Sequence, residues 1–151
     1  MQPYVAVVGG GTCSPEEDAV AERIGALLAR ANAVVVCGGL SGVMEAACRG
    51  ARQEGGLTVG ILPGSDRAAA NPHVVVAIAT GMGELRNGLV VRAADAVIAV
   101  GGEFGTLSEI ALALKLGKRV VGLDTWELPR RRDAILRAAT AEEAVRLTLE
   151  G

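Results

Sequence analysis

The chain has 151 residues, a formal net charge of -2, 50% hydrophobic residues and only 2% aromatics. That length and apolar content fit one domain over residues 1–151 with a sizeable core, and they exclude a disordered chain. The charge balance and the scarcity of aromatics exclude a basic nucleic-acid binder or a base-stacking sheet, and no apolar run reaches the ~18 residues of a membrane span.

In chain order, YVAVV (Tyr4–Val8) predicts a buried strand that ends in GGG. SPEEDAVAERIGALLARA predicts a helix with Ser14 as N-cap, Pro15 in its first turn, and Glu16, Glu17 and Asp18 at its positive end. AVVVC (Ala33–Cys37) is a second strand, ending in GGLSG, and SGVMEAACRGARQEG a second helix. LTVGIL (Leu57–Leu62) is a third strand before the loop PGSDRAAANP, and HVVVAIAT a fourth before GMG. GELRNGLVVRAA reads as a short helix and DAVIAV as a fifth strand. GTLSEIALALKLG is the next helix and KRVVGL a sixth strand. RRRDAILRAA and TAEEAVRLTLE close the chain as two short helical patterns.

Strands thus alternate with helices, and the strands are continuously apolar, as strands covered on both faces are. The fold class is α/β, a doubly wound parallel sheet of about six or seven strands. Ligands of such sheets sit outside the carboxyl ends of the strands. Those ends carry Gly9 to Thr12, Gly38 to Gly42, Pro63 to Ser65, Thr80 to Gly83 and Gly101 to Thr106, so one rim collects most of the glycine. Any one of these glycines could simply serve a turn. Two loops that each open a helix point further, to an anion seat on free N–H groups at the positive end of a helix dipole. The candidate binding residues are Gly10, Gly11, Thr12, Gly39, Ser41, Gly42, Met44, Gly101, Gly102, Gly105 and Thr106, with Ser41 and Thr106 offering hydroxyl donors.

GEFGTLS lacks the lysine of a P-loop, and Gly9-x-Gly11 lacks the third glycine and the following acid of a dinucleotide fingerprint. Cys13, Cys37 and Cys48 fit no C-x-x-C spacing, so neither a metal nor a bound cofactor is expected. The N-terminus lacks a basic leader, which predicts a cytoplasmic protein with free thiols. Arg86, in a helix that starts at the rim, is either a solvated arginine or a ligand-binding one. Glu109 lies three residues past Thr106, the spacing of a capping box, and is either a cap or a functional acid beside the anion seat.

ELRNGLVVRAADAVIAVGGEFGTLSE resembles the signature of the cytokinin-activating phosphoribohydrolases, the lysine-decarboxylase-like family, whose pattern is M-H-x-R-K, an apolar strand, then P-G-G-x-G-T-x-x-E. GGLSGVMEAACRGA is similar to a second segment of that family. The resemblance implies a Rossmann-like nucleotide-binding domain, a homodimer or homotetramer, and a phosphorylated small-molecule ligand without nucleic-acid or membrane partners. It further implies hydrolysis of the N-glycosidic bond of a nucleoside 5′-monophosphate, with Arg86 and Glu109 as the catalytic pair. Gly101 stands where the family has proline, Glu103 where it has the second glycine, Asn87 where it has lysine, and Glu45 where it has glycine. A shorter bacterial branch with V-G-G-x-x-G-T-L-S-E is closer, and it also looks like the molybdenum cofactor carrier proteins. The alternative is therefore a non-catalytic carrier or sensor of a phosphorylated ligand, and the phosphate seat is better supported than the hydrolysis. Pyridoxal chemistry is disfavoured, because Lys115 and Lys118, the only lysines, flank the far end of a helix.

Overall fold

A computed structural model describes residues 1–131 and 133–150. Seven strands form one sheet: β1 (Tyr4–Gly9), β2 (Val34–Cys37), β3 (Thr58–Leu62), β4 (Val76–Ala79), β5 (Ala96–Val100), β6 (Arg119–Leu123) and β7 (Leu136–Arg137). All pairings are parallel, in the order β4-β3-β2-β1-β5-β6-β7. The chain winds outward in one direction from β1 through β4, then returns to start β5 on the other side of β1. This is the Rossmann-like, doubly wound arrangement expected, with its switch point between β1 and β5.

Helices α1 (Pro15–Arg30), α2 (Val43–Gln53) and α5 (Ala141–Leu149) cover one face, over Val5, Val7, Val35, Ile98 and Val121. Helices α3 (Asn87–Ala93) and α4 (Phe104–Lys115) cover the other, over Ala6, Val8, Val36, Val97 and Ala99. Alternate residues of one strand therefore feed two cores, which is why these strands carry no polar face. The start of α1 follows the sequence closely: the Ser14 hydroxyl accepts from Glu17 N, and Glu17 Oε1 accepts from Ser14 N, a complete capping box. Among the described residues no helix is long and apolar enough to cross a membrane.

Two expectations fail. RRRDAILRAA is not a helix over its described residues; Leu136 and Arg137 add a strand to the sheet edge, paired with Val121 and Gly122. Asp133 explains the change. Its carboxylate accepts the N–H groups of Leu128 and Ile135 and the Arg137 guanidinium, a local network that competes with helical bonding. Nor is β4 covered on both faces: Val76 and Ile78 stay exposed at the sheet edge.

Candidate functional site

The carboxyl ends of β1, β2 and β5 meet at the switch point. Gly9 ends β1 and Gly10 and Gly11 follow it, Gly38 follows β2, and α4 opens after Gly101 and Gly102, both with positive φ. Between them lies a cleft of about 150 Å³, floored by Val7 and Val8. Of the residues singled out from sequence, Gly10, Gly11, Met44, Arg86, Gly105, Thr106 and Glu109 line it together. No side chain of Glu103, the N-cap of α4, hydrogen-bonds the helix start. The first backbone N–H groups of α4 are thus directed to the rim without a side-chain cap.

Arg86 is buried, not solvated. It belongs to the single 3-10 turn Gly83–Arg86 before α3 and is 9% exposed. Its guanidinium presses on Gly38, where an added methyl would lie 2.7 Å from Nη2. Nη1 donates to Asn87 Oδ1, while the buried Nε has no partner. Among the described residues Arg86 forms no ion pair. A buried cation without a counter-charge is costly, on the order of several kcal/mol, unless an anion joins it.

Glu109 is not a cap. Helix α4 starts at Phe104, so Thr106 already lies inside the first turn, and the T-x-x-E spacing does not fall on the helix boundary. The Glu109 carboxyl is 8% exposed and faces the cleft. Burial raises its pKa to about 7, against the opposing pull of Arg86. Near neutral pH it is therefore populated both as an acid and as a carboxylate, the state a proton-transfer group needs.

A second chamber of about 460 Å³ adjoins the cleft and shares Gly10 and Glu103 with it. Thr12, Gly101 and Gly102 line this chamber instead, with Glu17, Asp124, Thr125 and Trp126. Trp126 stacks obliquely on Phe104 at 5.5 Å, and its indole N–H donates to Glu103 O. Gly39, Ser41 and Gly42 line neither space. The Ser41 hydroxyl donates to Gly11 O at 2.8 Å, and Val43 N donates to Gly10 O. The start of α2 is therefore spent on holding the β1 loop rather than open to a ligand. Gly42 permits that approach: its φ is +72°, and a methyl there would lie 2.2 Å from Gly10 O. Glu17 and Asp124 escaped the sequence reading as site residues, and Asn87 and Glu103 entered it only as departures from the family pattern. Glu17 and Asp124 lie outside the glycine motifs, and their convergence depends on the strand order.

Lys118 Nζ donates to the carbonyls of Val91, Arg92 and Ala94 at the end of α3, beside the start of β6. Its role there is to satisfy a helix terminus, at the opposite sheet end from the cleft. Cys37 and Cys48 are buried free thiols, as expected, and Cys13 is half-buried.

Fold and rim together define a class: a Rossmann-like α/β protein whose strand ends and one helix N-terminus surround a buried arginine and a buried acid. The chain belongs to the SLOG cluster4 family of lysine-decarboxylase-like proteins, whose family model matches residues 2–149. An uncharacterized protein of Archaeoglobus fulgidus is 48% identical over 119 residues, 79% of this chain and 78% of that protein. Among solved structures, the molybdenum cofactor binding protein of the phototrophic bacterium Rippkaea orientalis superposes with a TM-score of 0.91 at 36% identity, covering 97% of this chain and 95% of that one. The molybdenum cofactor carrier protein of Chlamydomonas reinhardtii gives a TM-score of 0.86 at 31% identity, covering 97% and 96%.

Proposed function

We propose that the cleft binds the phosphate of a small phosphorylated heterocyclic molecule, and that the protein acts as its carrier or sensor, with a molybdenum-cofactor-type ligand as the leading case. The observation that carries this reading is Arg86: a buried guanidinium with an unpartnered Nε, no ion pair among the described residues, and a glycine-walled cleft in front of it. The uncapped start of α4 adds N–H donors to the same anion. Glu17, Glu103 and Asp124 around the second chamber suit the hydrogen-bond donors of a heterocycle and repel a second phosphate. The likeness to two molybdenum cofactor proteins over nearly the whole chain supports the carrier role. Isothermal titration with inorganic phosphate, nucleoside monophosphates and molybdenum cofactor tests it. One-to-one binding of the cofactor, lost on replacement of Arg86, is expected; equal indifference to all of these ligands would overturn the reading.

One observation favours a second reading, hydrolysis of the N-glycosidic bond of a nucleoside 5′-monophosphate. Glu109 shares the cleft with Arg86 and holds its proton to about pH 7. With the phosphate on Arg86, Glu109 could stabilise positive charge developing on the ribose, or activate the water that adds at the anomeric carbon as the base departs. Release of free base from a panel of nucleoside monophosphates decides between the two readings.

A further inference from the structure

The wall of the cleft behind Gly38 contains three sulfur-bearing side chains in one buried cluster. Cys37 ends β2, and Cys48 lies on α2. Their Sγ atoms are 3.5 Å apart and both residues are 0% exposed. Met44 precedes Cys48 by one helical turn, on the same helix face, and packs into the same cluster. Its sulfur lies against Gly38, where an added methyl would be 2.9 Å away, and its side chain reaches the cleft surface. Two thiols and a methionine side chain therefore pack in one cluster, and Met44 is the member that reaches the cleft.

We propose that Cys37, Cys48 and Met44 form a site for one soft monovalent metal ion of the copper(I) or silver(I) class, entered from the cleft past Met44. Thiolate and thioether donors select such ions. A metal at the ~2.3 Å typical of a thiolate bond fits between these sulfurs with only a small opening of the pair. Zinc is disfavoured because it takes four nitrogen, sulfur or oxygen ligands, and among the described residues no group of three or more His, Cys, Asp or Glu is arranged to hold a metal.

Binding forms two metal–thiolate bonds and releases the two thiol protons to solvent, with no change in oxidation state. The site then carries one net negative charge. Arg86 Nη2 and the Met44 sulfur lie on the same side of Gly38, 2.7 and 2.9 Å from the position of an added methyl, so the guanidinium stands beside the cluster and offsets that charge. The Gly39 N–H donates to the Cys37 sulfur, a contact that also suits the thiolate formed on metal binding.

The test is an anaerobic titration of the reduced full chain with copper(I) in competition with bathocuproine disulfonate. One equivalent of copper should be withheld from the chelator. Cys37→Ser and Cys48→Ser should each weaken retention by about 100-fold or more, and Met44→Leu by about tenfold. Cys13→Ser, in a different core cluster, should change nothing. If the cysteine variants fail to fold, X-ray absorption of the copper-loaded wild type decides, and only sulfur neighbours are expected. Absence of retention by the wild type, undiminished retention by a folded Cys37→Ser, Cys48→Ser double variant, or nitrogen and oxygen neighbours around the metal would each overturn the proposal.

Discussion

Arg86 and Glu109 line one cleft from two different elements, the turn before α3 and the second turn of α4, yet form no ion pair. Each is more than nine-tenths buried. The attraction of the arginine lowers the carboxyl pKa, but burial outweighs it and leaves the acid poised near pH 7. An anion between them would satisfy the arginine and favour the protonated acid.

Glu109→Gln separates chemistry from carriage. For a carrier, the substitution should leave affinity for a phosphorylated ligand within a few-fold, and no base release should be measurable in either protein. For a hydrolase, it should remove most turnover while binding survives, because the lost charge acts mainly in the transition state. Base release, affinity and melting temperature measured on the same samples distinguish these outcomes. Undiminished turnover in Glu109→Gln would end its assignment as a catalytic group.

Arg86→Ala should weaken binding of a phosphomonoester by about 30- to 150-fold, the equivalent of ~2–3 kcal/mol for a charge-assisted hydrogen-bonding partner. Arg86→Lys should recover only part of this, since an ammonium lacks the planar fork of the guanidinium. A phosphate affinity that is indifferent to both substitutions would place the anion elsewhere.

Stability should depend on pH through Glu109. Its folded pKa, about 7, lies above the ordinary 4.5, so the folded state holds the proton more tightly than the unfolded chain. The contribution is fully present below pH 4.5 and is lost as pH rises toward about 7, by up to about 3 kcal/mol. Glu109→Gln, which has no charge to bury, should therefore melt about 6–12 °C above wild type at pH 8 and nearly level with it at pH 4.5. Phosphate affinity of the wild type should fall between pH 7 and 8.5 and stay flat in the variant. Calorimetric scans at the two pH values check the first point; an equal offset at both would refute the buried-charge explanation.

The exposed apolar surface leads us to propose that the protein self-associates as a homodimer or homotetramer. The pairing of Val59 with Val76 and of Ile61 with Ile78 continues the α3–α4 face of the sheet out to β4. Helix α3 does not extend over that edge, and Val76 and Ile78 remain exposed, as do Met82, Leu85 and Phe104 near the cleft. Leu85 and Phe104, each 76% exposed, border an apolar groove that also touches Asn87 and Gly105 of the site. Light scattering at micromolar concentration should give at least a dimer for the wild type, shifting toward monomer in Leu85→Glu or Ile78→Glu. A wild-type monomer at that concentration would contradict the proposal.

The strand–helix alternation, the parallel sheet and the glycine-rich rim were legible in the residues because they rest on local causes. Valine runs flanked by glycine make buried strands, and Ser14, Pro15 and Glu17 write the start of α1 directly. The helical reading of RRRDAILRAA failed because the pattern of Ala134, Ile135 and Ala138 suits a helix, whereas Asp133 and the open edge of β6 supplied competing hydrogen bonds. Similarly, T-x-x-E had the spacing of a cap, but Gly101 and Gly102 turn the chain so that α4 begins before Thr106.

What the amino-acid sequence by itself determined was therefore the set of elements, the end of the sheet that carries the rim, and the candidacy of Arg86 and Glu109. Only the tertiary structure decided that these two are buried in one cleft without an ion pair, that Ser41 and Gly42 hold the β1 loop rather than a ligand, and that Glu17 and Asp124 meet beside the second chamber. The physical reason is that periodicity and capping act over a few neighbouring residues, whereas burial, charge pairing and proton affinity depend on which distant segments the strand order brings together.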